Sequence, residues 1–500
     1  MNRRDLLRTL PAAVSAAASV AHPAPPRPES LKYRVAFGLW INDFRNESAP
    51  LENWPYGELD DVTVDSIKRA LDVESESGYN SIDLAGLLSI YAWPTDIVSI
   101  ATPERRRRVQ QIIKAAHAVN MKVVCFPSGV LSWGFDTIIK SDPAVRTDNR
   151  HFMNPLREES WRWQEKVLDY MLDNYEIDGI HLESADQGRC KTKECLEKWP
   201  NDVAFHSYVT ARAAQYLRKK RSGLILLATV QGFSTWGRDF TDEEKGMLVE
   251  LSRSVDCLFD QGHAQTYIPQ AKRRDFISKL HCGYGTSGGI WIYPPQRWDR
   301  TRWFLPYTSG TGRHIKQLYE DGGQGVMYYQ GPVANPSTEV NIAFGGRIMS
   351  DPKREPEAVL ANVLQKLYKP RSQATHQKLV ALFRQAEERY FENWNAQRIL
   401  EGRKRPQPGE LHLTSLFGAS PNQADYLLEP YLDTKGRMAY KQALVSMLKD
   451  LAGLQGQCDD GGRLLRIRRG MEAALVDINN IAYAKGETAV WDDRSVGRLF

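Results

Sequence analysis

Between residue 33 and about residue 330, short apolar runs alternate with amphipathic stretches of helical period, and this rhythm limits the folds open to the chain. The runs at 35–41, 81–84, 122–126, 177–182, 224–230, 257–259, 289–293 and 326–329 have the length and composition of strands. Helical patterns at 63–76, 103–119, 158–174, 202–220, 242–252 and 312–321 fill the gaps between them. Eight strands with interposed helices and right-handed crossovers predict an α/β chain folded as a (β/α)8 barrel. A doubly wound open sheet would share the alternation, but no Gly-rich phosphate fingerprint follows the first strand.

The 500 residues exceed what such a barrel of about 250–320 residues needs, so a second unit is expected. Strand signals fade after residue 346, and 355–368, 372–394, 436–451 and 464–485 show helical spacing. The reading is a barrel over 33–346 and an α-helical C-terminal domain over 347–500. Residues 1–21 read as an export signal. Asn2-Arg3-Arg4-Asp5-Leu6-Leu7-Arg8 resembles the twin-arginine pattern, and Ser19-Val20-Ala21 offers a small-x-small cleavage site. The stretch holds Pro11 and is too short and too weakly apolar to span a bilayer. A Pro-rich linker follows over 22–32. The expected partner is therefore the twin-arginine export machinery, and the expected location is periplasmic or extracellular. Of the net charge of +5, the first 21 residues contribute +2 (three Arg against Asp5), which leaves no basic footprint for nucleic acid.

The most informative stretch is Asp178-Gly-Ile-His-Leu-Glu-Ser-Ala-Asp186, which delivers His181, Glu183 and Asp186 at the end of the fourth strand. Catalytic groups of a parallel barrel sit where strands end and βα loops begin. Two carboxylates and an imidazole there suit a site that holds a proton at neutral pH. A solvated loop with an N-capping Ser or Asp is the plainer reading of the same residues. The other predicted strand ends supply Trp40, Asn42, Asp43, Asp83, Trp133, Gln231, Asp260, His263, Tyr267, Tyr293, Tyr329 and Gln330. Carboxylates and aromatics around a barrel mouth suit a carbohydrate, whose C–H faces stack on rings and whose hydroxyls pair with polar groups. Hydrolysis of a glycosidic bond needs an acid for the leaving oxygen and a second carboxylate. Glu183 is the first choice as acid. The partner is Asp260, acting across the pocket, or Asp186 from the same loop. His181 and His263 are placed to orient a carboxylate or a sugar hydroxyl.

Two other classes compete. A non-catalytic carbohydrate-binding barrel would use the same aromatics, and a scattered metal site of His181, Glu183, Asp186 and His263 would suit a lyase or deacetylase. No His-Glu-x-x-His site is present, and the primary reading uses neither metal nor cofactor. Of six cysteines, Cys190 and Cys195 fall in the loop after the acidic cluster, where a disulfide would brace it after export; free thiols or a metal site are the alternatives.

The segment 178–190, with its closely spaced cysteines, resembles the corresponding strand of the α-glucuronidase-like and hexosaminidase-like glycosidase groups. Val363-Leu-Gln-Lys-Leu-Tyr-Lys-Pro370, with the helix ending Glu387-Glu-Arg-Tyr-Phe-Glu-Asn-Trp394, resembles the start of their helical C-terminal domain. The resemblance implies a glycoside hydrolase. The hexosaminidase pattern places adjacent Asp-Glu after its His, whereas here Ser184-Ala185 separates Glu183 from Asp186, against acetamido-assisted catalysis. A conventional retaining barrel would also want a carboxylate ending strand seven, and 289–293 supplies none, which favours an inverting hydrolase. Arg189 and Arg297, near the mouth, point towards an acidic sugar such as a uronate, or are ordinary surface arginines.

Overall fold

The computed structural model describes residues 29–37, 59–84, 93–184, 188–229, 240–260, 269–289, 303–329, 336–392 and 434–484. Eight strands form a closed barrel: β1 (Tyr33–Phe37), β2 (Ser81–Asp83), β3 (Lys122–Cys125), β4 (Gly179–Glu183), β5 (Ile225–Thr229), β6 (Cys257–Asp260), β7 (Gly283–Gly289) and β8 (Gly325–Tyr329). Each strand pairs in parallel with the next, and β8 pairs with β1. Around them run α1 (Asp61–Ser77), α2 (Pro103–Ala118), α3 (Asp136–Ser141), α4 (Glu158–Asn174), α5 (Lys193–Lys198), α6 (Asp202–Lys220), α7 (Asp242–Leu251), α8 (Gln270–Lys279), α9 (Ser309–Glu320) and α10 (Thr338–Ser350). Then follow α11 (Pro356–Tyr368), α12 (Gln373–Glu392), α13 (Thr434–Ala452) and α14 (Arg463–Ala484). The (β/α)8 fold is thus the one the alternation predicts.

Local chemistry sets the helix starts. Thr102 accepts from the Arg105 N–H ahead of Pro103, and Asn201 accepts from Ala204. Thr241 and Glu244 form a reciprocal capping box. Each cap lies directly before a helix that the apolar pattern also predicts. Helix α10 packs against α1 and the barrel strands, and the boundary drawn at residue 346 falls inside it.

Two apolar cores result, because successive strand side chains point to opposite faces. Tyr33, Val35, Phe37, Val124, Leu227, Phe259, Met327 and Tyr329 fill the barrel lumen. Ile82, Val123, Ile180, Leu226, Leu258, Val326 and Tyr328 face the helices. At the N-terminal end of β4 the Asp178 carboxylate accepts from the Val123 N–H at 2.8 Å, Lys122 Nζ at 2.9 Å and the His117 ring at 2.7 Å. Burial pushes this carboxyl up, but these donors outweigh it and hold Asp178 below the ordinary range. The first residue of the sequence motif is thus a clamp on the face opposite the site.

Strand seven departs from expectation. It runs Gly283–Gly289 and meets the 289–293 stretch assigned to it only at Gly289, and residues 290–293 lie outside the described residues. Its sequence, Gly-Tyr-Gly-Thr-Ser-Gly-Gly, has no apolar alternation to read, whereas the next four residues have a strong apolar signal. The glycines answer to packing: a Cβ on Gly285 would stand 2.6 Å from Phe259 Cε1, and one on Gly288 2.7 Å from Val326 Cγ1.

The helices after α10 pack in sequence order, α11 on α12, α12 on α13 and α13 on α14. Trp303, just before α9, donates its indole N–H to Asp477 of α14 at 2.7 Å, and Arg463 of α14 grips Glu339 of α10 through two hydrogen bonds. No helix among the described residues is long and apolar enough to cross a membrane.

Candidate active site at the strand ends

The C-terminal ends of β2, β4 and β5 bring three polar side chains together inside the lumen. Asp83 is in register with Phe37 and Val124, and His181 with Leu227, which places both on the inner face. His181 Nδ1 lies 2.7 Å from Asp83 Oδ2, and Nε2 lies 2.5 Å from Thr229 Oγ1. All three side chains are buried. Phe126 and Phe37 pack on the imidazole, with ring centroids at 5.2 and 6.0 Å. Burial pushes the Asp83 carboxyl up, and the adjacent imidazole partly offsets this. Its second oxygen, Oδ1, is buried without a hydrogen-bond partner among the described residues.

Glu183 lies two residues beyond His181 on the same inner face, in register with Thr229, and is half-buried where β4 opens to the mouth. Its backbone carbonyl accepts from the Val130 N–H at 2.6 Å. Ser184 turns outward and meets Thr210 at 3.2 Å and His206 at 3.1 Å, both on α6. Burial, with the Arg189 charge second, lowers His206 to about 3 and keeps the ring neutral. Beside this strand end Trp133 stacks on Phe126 with centroids 5.4 Å apart and planes 20° apart. The loop carrying Trp133 is pinned by Gln164, which accepts from the Leu131 N–H at 2.8 Å while Leu131 holds φ +60°. A left-handed leucine is strained, and the surrounding bonds impose it. Tyr329 meets Phe37 edge to face at 4.8 Å.

Several sequence-derived roles change in this geometry. Both ring nitrogens of His181 are engaged, so it orients the Asp83 carboxylate and the Thr229 hydroxyl rather than a sugar. Asp83, wholly buried, serves His181 instead of meeting substrate. Asp260 ends β6 with the parity of Leu258, one residue on from the lumen-facing Phe259. It accepts from Tyr284 OH at 3.0 Å and is in register with Thr286, whose hydroxyl meets His314 of α9 at 3.3 Å. Asp260 therefore faces the barrel–helix layer, not the lumen side that carries Glu183. Arg189 is 4% exposed and is spent on Asp202, the Trp199 carbonyl and the Cys190 carbonyl. It clasps the loop and presents no guanidinium to an acidic sugar.

Cys190 and Cys195 are buried thiols in hydrogen-bonding contact; burial first, and that contact second, push Cys195 up to about 12. Trp40, Asn42, Asp43, Asp186, Gln231, His263, Tyr267, Tyr293, Arg297 and Gln330 lie outside the described residues. Thr229 is the member of the site that sequence reasoning missed, since a β-branched residue in an apolar strand carries no functional signal. The sequence reading also takes a Ser-centred Gly-x-Ser-x-Gly motif to be absent, and that is wrong: Gly285-Thr-Ser-Gly-Gly289 has that spacing. That run lies wholly within β7, in register with β8, and not on the strand-to-helix turn that exposes a nucleophile. Among the described residues no three His, Cys, Asp or Glu side chains gather as a metal site. A cavity of about 380 Å³ opens on the outer wall between α4 and α6, lined by Trp161, Tyr208 and Arg212 among others, but no strand-end residue reaches it.

No protein-family model matches this sequence, and neither does any curated protein. Solved structures do. A GH138 enzyme targeting pectin rhamnogalacturonan II superposes with a TM-score of 0.55 at 10% identity, over 95% of this chain and 60% of that one. A Thermobaculum terrenum O-GlcNAc hydrolase superposes with a TM-score of 0.49 at 10% identity, over 94% of this chain and 88% of its own. These structural neighbours are glycoside hydrolases. At such identity the likeness establishes the barrel fold.

Proposed function

We propose that the chain is an exported glycoside hydrolase in which Glu183 is the general acid. The carrying observation is the position of Glu183: half-buried at the mouth end of β4, on the lumen face, above the buried Asp83–His181 pair and beside the stacked Phe126 and Trp133. A general acid must stand within reach of the leaving oxygen, and a carboxyl on the lumen face at the mouth end of β4 suits that role. Aromatic faces next to it suit sugar C–H surfaces. With Asp260 turned to the helix layer, Asp186 on the following loop is the second carboxylate in this reading. The twin-arginine-like pattern Asn2-Arg3-Arg4-Asp5-Leu6-Leu7-Arg8 supports a reaction in the periplasm or outside the cell. The substrate is a glycan, and pectic polysaccharide belongs in the first screen because a neighbour of the same fold acts on one.

The orientation of Asp260 also favours a second reading, a carbohydrate-binding barrel in which Glu183 only hydrogen-bonds. The discriminating experiment presents wild type and Glu183→Gln with aryl glycosides and with plant and bacterial polysaccharides. Sugar release by wild type alone supports the hydrolase, with binding largely kept in the variant. Binding without release in both proteins establishes the binding barrel instead.

A further inference from the structure

We propose that Thr229 is a positioning residue for Glu183, acting through a hydrogen-bonded brace, Asp83–His181–Thr229, that ties the mouth ends of β2, β4 and β5 together. This rests on the reading of Glu183 as general acid. Asp83 is acceptor-only when ionised, so the 2.7 Å contact puts the proton on His181 Nδ1. In a neutral imidazole the other nitrogen then accepts, and Thr229 spends its one hydroxyl proton on Nε2, at 2.5 Å. With Asp83 ionised and the imidazole neutral, the brace has a single direction, Thr229 to His181 to Asp83. Its ends are fixed by neighbours: Asp83 is wholly buried, and Phe37 and Phe126 hold the ring.

Glu183 is the group this brace can place. It is two residues beyond His181 on one strand and directly in register with Thr229 on the next. Paired strands lie about 4.8 Å apart, so the two side chains leave the sheet side by side. The backbone around Glu183 is already held, its carbonyl by Val130 and its successor Ser184 by His206 and Thr210. Without the Thr229–His181 bond, β4 and β5 lose a side-chain link on the lumen face, and the strand end that carries the acid loses a brace.

The test uses the phenyl and 2,4-dinitrophenyl glycosides of the sugar released in the polysaccharide screen. A phenolate leaves well only if protonated, whereas dinitrophenolate leaves without help, so misplacing the acid penalises only the first. Thr229→Val is expected to lower kcat on the phenyl glycoside roughly tenfold, the worth of one good hydrogen bond, with KM and the dinitrophenyl rate within about twofold. Thr229→Ser should restore the phenyl rate. Equal loss on both glycosides, or no loss on either, overturns the proposal. If wild type cleaves nothing in the screen, the hydrolase reading fails and the positioning role with it. The brace is still decided separately by ¹⁵N NMR of the full chain, with His181→Gln for assignment. A protonated Nδ1 and a bare Nε2 that shifts in Thr229→Val support it, and a doubly protonated ring or an indifferent Nε2 overturns it.

Discussion

Glu387 of α12 accepts a hydrogen bond from the Gly310 N–H at 2.8 Å, at the first turn of α9. The same carboxylate takes the N–H groups of Thr308 and Ser309 and the Thr308 hydroxyl. The N-terminus of a helix after strand seven of a barrel is a ready seat for an anion. Here a buried side chain of the C-terminal helices fills it, so a substrate phosphate has no place there. Glu387→Ala leaves three N–H groups and a hydroxyl without an acceptor, and should cost about 3 kcal/mol or more. Glu387→Gln should lose less, because one oxygen still accepts. Urea midpoints of the two variants check the order.

His206 makes the strand-four loop sensitive to acid. Its folded pKa of about 3 lies below the unfolded value of 6.5, because burial and then Arg189 oppose the charge. Between those values the unfolded chain binds a proton that the native chain refuses, so stability falls as pH drops through 6.5 and goes on falling to about 3. The loss is on the order of several kcal/mol. His206→Gln removes the titration. The stability difference between wild type and this variant, followed by urea titration from pH 7 to pH 4, should therefore shift steadily in favour of the variant. A difference that stays constant with pH would mean that His206 is not the group responsible.

What could be read from sequence, and what could not, follows from distance and parity. Helices α4 and α6 are legible at both ends, since apolar period and polar flanks agree. Asp83 and His181 are each visible as polar residues ending an apolar strand, but they are 98 residues apart, and only barrel closure makes them partners. Asp260 shows how fine the margin is. Phe259 faces the lumen, so a register one residue different would have turned the carboxylate into the site. Strand β7 was hidden because glycine spacing there answers to Phe259 and Val326, side chains that belong to other strands.

That dependence makes Gly285 a test of the lumen packing. An alanine there would bring its Cβ within 2.6 Å of Phe259 Cε1 and 2.7 Å of the Gly325 carbonyl oxygen. Overpacking of a filled core costs about 1–3 kcal/mol. Gly285→Ala should fall in or above that range by thermal or urea unfolding. Adding Phe259→Leu should recover part of the loss but not all, because the Gly325 backbone contact remains. Additive losses in the double variant would show that Phe259 does not press on this position.

Asp83 separates the cost of charge from the cost of an unmet hydrogen bond. Asp83→Asn keeps an amide oxygen for the His181 Nδ1–H and removes a carboxyl that burial already pushes upward, so it should change stability by less than about 1 kcal/mol. Asp83→Ala strands a buried imidazole N–H and opens space beside Cys125, whose thiol lies close enough for the Asp83 charge to help raise it, after burial. A loss of about 2–4 kcal/mol is expected. The sign with pH follows from the raised carboxyl. The folded chain holds this proton more tightly than the unfolded one, so wild type gains on Asp83→Asn as pH falls through the carboxylate range. A wild type that instead loses ground to Asp83→Asn on acidification would show that the ion pair with His181, and not burial, governs Asp83.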